Sequence, residues 1–122
     1  MKAVLDTNIL IDYLNGETKA SEEIGLYDKR LISIVTWMEI LAGAKQESDE
    51  KTLRSYLESF QIKPIDSNVA EKAVSIRKLL KVRLPDAIIY ATAKNEGTIL
   101  VTRNTRDFDP SLPDIREPYK IG

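Results

Sequence analysis

Residues 3–14, AVLDTNILIDYL, constrain the fold more than any other stretch, because an apolar run ends at Asp6-Thr7-Asn8 and an amphipathic segment starts at once. Ala3, Val4 and Leu5 suit a buried strand, while Ile9, Leu10, Tyr13 and Leu14 recur at helical spacing. Asp6 therefore falls at the carboxyl end of a strand. In open parallel sheets ligands bind in the crevice beyond those ends, so an acid there is a candidate for chemistry. The structural alternative is an N-cap, since Asp, Thr and Asn side chains all accept from the free N–H groups of a helix start.

Along the rest of the chain, short apolar runs alternate with helical stripes. Gly16 is expected to stop the first helix, and 17–28 holds helix formers for a second, weakened by Gly25. Residues 30–34 read as a short buried strand, after which Val35, Met38, Leu41 and Ala42 form a helical stripe ending near Gly43. Within it, Thr36-Trp37-Met38-Glu39 has the spacing of a capping box, in which Thr36 caps the helix and Glu39 reaches back. Alternatively, Glu39 projects over the same sheet edge as Asp6. A surface helix is expected over 47–60, with Leu53, Tyr56, Leu57 and Phe60 on one face. Pro64 assigns the extended segment 62–65 to an edge position or a strand end.

Ser67 opens another helix, with Val69, Ala73, Ile76 and Leu80 on one side. Lys72, Arg77, Lys78, Lys81 and Arg83 gather toward its far end, where cations favour a helix C-terminus; a patch that tracks phosphates is the alternative. Leu84-Pro85-Asp86 starts a helix that runs to Gly97, and a carboxylate in its first turn also has a structural use against the helix dipole. Residues 98–102 form the clearest strand, followed by the polar loop RNTRDFDP, and 115–121 suits a last short edge strand. With no repeat and no linker, residues 1–122 are expected to be a single domain.

Strands alternating with helices imply an α/β fold with a mainly parallel central sheet and right-handed crossovers. The strand C-termini then share one edge. Asp6, Glu39, Asp86, Asn104 and Asp107 can all face a single cleft there. Crowded carboxylates raise one another's pKa unless a cation lies between them, so a shared divalent ion is the natural resolution. The chain has neither cysteine nor histidine, which removes disulfides, the Ser-His and Cys-His nucleophilic pairs and the usual zinc ligands. Any metal must be held by oxygen, and such sites favour magnesium or manganese. The net charge of −1 does not advertise a nucleic-acid binder, but once Asp6, Glu39 and Asp86 are neutralised by a metal the balance turns positive. Apolar runs are too short for a membrane span and Met1-Lys2 leads straight into a strand, so a cytoplasmic protein with no membrane association is expected.

These residues together carry a resemblance. LDTNILI, ISIVTWMEILAG with Glu39, LPDAIIYATAKNEG with Asp86, and ILVTRNTRDF make the chain similar, over nearly its whole length, to PIN-domain proteins, and within that family to VapC-type toxins of toxin–antitoxin pairs. The resemblance implies a three-layer α/β/α sandwich and a magnesium- or manganese-dependent ribonuclease, with Asp6, Glu39 and Asp86 as its first three acids. The fourth position falls on Asn104, where many members have Asp, with Asp107 a possible substitute. Asp6 and Asp86 are then expected as direct metal ligands, Glu39 as a further ligand or the group that orients the attacking water, and Asn104 as a neutral partner. Thr7, Asn8, Ser33, Thr36 and Thr102 are candidates for hydrogen bonds that support the carboxylates. The resemblance also implies an RNA substrate, a homodimer and a cognate antitoxin, with Leu10, Leu14 and the helices within 48–80 as contact surfaces. Two other readings remain: a catalytically silent PIN-like partner-binding module, and a magnesium-binding receiver-like domain. The latter calls for paired acids after the first strand and a lysine after a late one, where this chain has Asp6-Thr7-Asn8 and Arg103.

Overall fold

The computed structural model describes residues 1–121. In chain order its elements are β1 (Lys2–Leu5), α1 (Thr7–Leu14), α2 (Thr18–Gly25), β2 (Lys29–Ser33), α3 (Ile34–Ala42), α4 (Glu47–Leu57), β3 (Gln61–Lys63), α5 (Ser67–Leu80), α6 (Leu84–Asn95), β4 (Ile99–Val101) and β5 (Ile115–Arg116). The five strands form one all-parallel sheet in the order β3-β2-β1-β4-β5. Successive residues of a strand face opposite sides of the sheet. Val4, Leu31 and Leu100 accordingly pack with Val69, Ile76, Ile89 and Phe108 on the α5–α6 side. Ala3, Leu5, Ile32 and Val101 pack with Ile9, Ile24, Leu41 and Leu57 on the α1–α4 side. Two cores around one sheet make the expected three-layer α/β/α sandwich. No helix among the described residues is long and apolar enough to cross a membrane.

Chain reversals occur where local chemistry permits them. Gly16 takes φ +86° just past the C-cap Asn15, a left-handed conformation that glycine adopts without Cβ strain. Gly25 is tolerated as the last residue of α2. β3 lies at the sheet edge, and Pro64 follows its last residue, consistent with a ring that cannot donate to a ladder.

Three expectations are corrected. The capping box at Thr36–Glu39 does not form, because β2 continues to Ser33 and α3 starts at Ile34. Ser33 is therefore the N-cap and its Oγ accepts from the Val35 N–H at 3.0 Å. Leu10 is not a contact surface: it is fully buried against the sheet, whereas Leu14 is 40% exposed. The last strand covers Ile115–Arg116 rather than 115–121. Pro118 lacks the N–H a longer ladder would need, and Tyr119 instead donates its hydroxyl to Asp12 at 2.8 Å. The strand order also disfavours a receiver-like domain, whose doubly wound sheet runs 2-1-3-4-5.

So short a final strand needs help from side chains. Arg116 donates to Glu23 through Nε (2.7 Å) and Nη2 (2.9 Å), and the Tyr27 hydroxyl donates to the same carboxylate at 2.7 Å. Burial opposes the charge on Glu23, but these donors outweigh it and hold its pKa below the usual carboxylate range. Removing one partner of a buried pair leaves the other uncompensated. Glu23→Ala should therefore cost on the order of 2–3 kcal/mol, below the fully buried case because Arg116 reaches solvent. Urea unfolding measures this; a cost under about 0.5 kcal/mol, the level of an ordinary surface change, would show that the pair does not fasten β5.

Candidate active site

The strand order reverses between β1 and β4, since β1 leads to β2 on one side and β4 leads to β5 on the other. A crevice opens at such a point beyond the strand ends. Asp6 is placed there, 4% exposed. Its N–H donates to Val101 O of β4 at 2.9 Å, and its extended backbone makes it the N-cap of α1, with Oδ1 accepting from the Thr7 N–H at 2.7 Å. The cap and the crevice acid are thus one residue. Oδ2 accepts from the Thr102 hydroxyl at 2.7 Å and from the Asn8 amide at 3.2 Å.

Thr102 is saturated by these bonds, and Asn8 has no amide hydrogen to spare. The Thr102 hydroxyl also accepts from Asn8 Nδ2 (3.2 Å) and from the Asn104 N–H (2.9 Å), which uses its one hydrogen and both lone pairs. Asn8 Oδ1 accepts from the Arg103 N–H at 3.1 Å. A carboxylate accepts about four hydrogen bonds, so three donors leave Asp6 one position for a cation.

Glu39 reaches the same edge from α3. Its Oε1 accepts from the Thr7 hydroxyl at 2.7 Å. With that hydrogen committed, the buried Thr36 hydroxyl must be the donor in its 2.9 Å contact with Thr7. Asp86, half-buried in the first turn of α6, has no hydrogen bond to this group but belongs to it electrostatically. Burial is the main reason its pKa rises; Arg83, 3.7 Å away, opposes the rise and Asp107 and Glu39 add to it.

Burial likewise dominates at Asp6. The Thr102 and Thr7 hydrogen bonds offset part of the penalty, the charges of Asp86 and Glu39 increase it, and the pKa is pushed up to about 6.

The loop after β4 distributes its side chains in a way the sequence does not reveal. Asn104 Nδ2 donates to Asp107 Oδ2 at 3.0 Å and Asn104 Oδ1 accepts from the Asp107 N–H at 3.3 Å. The amide is occupied with Asp107, and it is Asp107 whose charge is felt at Asp86. Ser33 stays apart from the acids, its hydroxyl being the α3 cap. Arg103, unassigned from the sequence, grips Asp12 through Nε and Nη2, the latter at 2.8 Å. Helical spacing alone gives no sign that Asp12 is buried and waits for a cation from the far end of the chain.

The PIN domain family matches residues 3–109. The chain belongs to this family. "Ribonuclease VapC1" of Methanocaldococcus jannaschii is 32% identical over 113 residues, 88% of this chain and 79% of that protein. "tRNA(fMet)-specific endonuclease VapC" of Shigella flexneri is 32% identical over 120 residues, 89% of this chain and 91% of that protein. Among solved structures, a chain of a toxin–antitoxin complex from Klebsiella pneumoniae superposes with a TM-score of 0.92 at 41% identity, covering 98% of this chain and all of that one.

In this PIN domain no three of the acids stand within chelating distance of one another among the described residues. Yet the donor set suits a hard divalent cation. All its ligand atoms would be oxygens, and a buried carboxylate that resists ionisation beside two other acids is relieved by positive charge.

A raised carboxyl pKa contributes stability that is fully present below the unfolded value of 3.8 and is lost as pH rises through about 6. A shift of this size corresponds to about 3 kcal/mol. In EDTA, the stability of Asp6→Asn relative to the unsubstituted protein should therefore improve by up to about 3 kcal/mol as pH rises from about 4 to about 7.5. Urea unfolding at a series of pH values checks this, and a pH-independent difference would mean that the Asp6 charge is not destabilising.

Proposed function

We infer that this PIN-domain protein is a divalent-metal-dependent endoribonuclease, the toxin of a toxin–antitoxin pair, acting on RNA in the cytoplasm. Asp6 carries this reading: an acid at the strand-order reversal whose charge is disfavoured chiefly by burial and further by Asp86 and Glu39, in a family whose matched relatives are named a ribonuclease and a tRNA(fMet)-specific endonuclease. When bound, magnesium or manganese supplies charge compensation for the acids and Lewis-acid polarisation of a phosphate. Asp6, Asp86 and Glu39 are the residues that would hold it.

The chain's own groups account for the rest of the hydrolysis. The Thr36–Thr7–Glu39 relay fixes Glu39 through Oε1, which leaves Oε2 to take a proton from the attacking water as its oxygen bonds to phosphorus. The leaving ribose oxygen is protonated from solvent. With no histidine in the chain, no imidazole base competes for this role. Asp107 is assigned the fourth carboxylate, and Asn104 is assigned the task of positioning it, because the amide is bonded to Asp107 on both of its polar atoms.

For partners, exposed Ile11 and Leu14 line a mainly apolar groove with Ile40, Gly43 and Leu53, whose polar lining is Asn15 and Glu39, and we assign the antitoxin there. Val74 and Leu79 on α5, the latter 81% exposed, are assigned to the homodimer.

Incubation with labelled RNA tests the activity. Cleavage should require magnesium or manganese, stop in EDTA, and fall to background in Asp6→Asn and Asp86→Asn. Thr7→Val, which frees Glu39 without removing a carboxylate, should lower the rate by about 10- to 100-fold. Cleavage that survives EDTA or the Asp6 substitution would defeat this assignment. Manganese titration by calorimetry separates the loop residues: Asp107→Asn should weaken binding, and Asn104→Ala should weaken it less. Unchanged binding in Asp107→Asn would remove that residue from the site.

A further inference from the structure

Beside the acids lies a polar cleft of about 380 Å³ lined by Asn8, Arg103, Asn104, Thr105 and Arg106, with no carboxylate in its wall. Asn8 is the partition between the two: its amide hydrogens serve Asp6 and Thr102, and its carbonyl oxygen holds the Arg103 N–H. The two arginines differ in their commitments. The Arg103 charge is matched by Asp12, which Tyr119 also holds, so this side chain is a fixed wall. Arg106 is exposed and makes no ion pair among the described residues, in contrast to Arg103 with Asp12 and to Arg83, which pairs with Asp86 on α6. The Thr105 hydroxyl, too, is without a hydrogen-bond partner among the side-chain bonds of this loop.

A polyanion laid over Asp6, Glu39 and Asp86 is repelled by them except where a cation intervenes, so it needs positive charge immediately alongside. A guanidinium suits this because its fork matches two phosphate oxygens. We propose that the cleft binds the phosphodiester adjoining the scissile one in a single-stranded RNA, with Arg106 and Thr105 as its contacts and Asn8 and Arg103 as the fixed walls. The assignment rests on the reading of the acids as the RNA-cleaving site. The salt dependence of RNA binding, however, can be read independently of cleavage.

The test uses the full chain in an Asp6→Asn background, which blocks cleavage, and a labelled single-stranded RNA of mixed sequence, followed by anisotropy with manganese at roughly 50 to 200 mM salt. Arg106→Gln should weaken binding several-fold and flatten the log–log salt slope by about 0.7, the value of one single-strand phosphate contact. Arg106→Lys should restore the slope and only part of the affinity, and Thr105→Val should weaken binding with the slope unchanged. Lys51→Gln on α4 controls for a general loss of surface charge and should leave both nearly as they were. An unchanged slope in Arg106→Gln, or an equal change in Lys51→Gln, overturns the cleft assignment. If the unsubstituted protein fails to cleave RNA while Arg106→Gln still flattens the slope, the phosphate contact stands and the nuclease reading fails, so the two are separable.

Discussion

The site depends on a single seam, the junction of β1 with β4. Asp6 donates its backbone N–H to Val101 and takes the Thr102 hydroxyl on its carboxylate, so the same residue joins the two strands and heads α1. Because the sheet order reverses there, α1 follows β1 on one side of the seam while β4 runs into a loop, and the crevice lies between the two strand ends. Main-chain pairing sets the position of the carboxylate, and saturated side chains set its orientation. Thr102 and Asn8 have no donor to spare, and a competing arrangement would leave a buried group unpaired.

That geometry places charge where the fold least tolerates it. Asp6 is buried and sits in the field of Asp86 and Glu39, so its ionised form weakens the protein that holds it. Glu23 shows the contrasting case: equally buried, it meets Arg116 and Tyr27 and remains ionised below the usual range. Both are internal acids on the same sheet sandwich. One has its cation built into the chain and serves structure; the other lacks one and is suited to a cation from outside.

The C-terminal segment is held by the same economy of partners. Arg103 and Tyr119, far apart in sequence, both meet Asp12 on α1, while Arg116 meets Glu23 on α2. These contacts substitute for the ladder that a longer β5 would have provided. They also immobilise Arg103 beside the acids, which gives the polar cleft a rigid wall and leaves Arg106 as the lining cation with no ion pair among the described residues.

Local patterning was enough to specify the fold class. The apolar runs at 3–5, 30–34 and 98–102, the intervening helical stripes and Gly16 pointed to an α/β fold with a mainly parallel sheet and Asp6 at a strand end, since period and burial are properties of neighbouring residues, while the three-layer sandwich came from the family resemblance. The absence of histidine and cysteine narrowed the chemistry just as directly. Partnership was not legible. Thr36-x-x-Glu39 has capping-box spacing, but Ser33 takes the cap and Glu39 turns to Thr7; Leu10 and Leu14 lie on one helical stripe, but only Leu14 reaches the surface. Asn104 and Asp107 look interchangeable in sequence, and the fold bonds one to the other. Each of these outcomes depends on which group arrives to satisfy a donor or acceptor, and that is decided only when the strands align and bring residues such as Asp6 and Thr102, 96 positions apart, into hydrogen-bond contact.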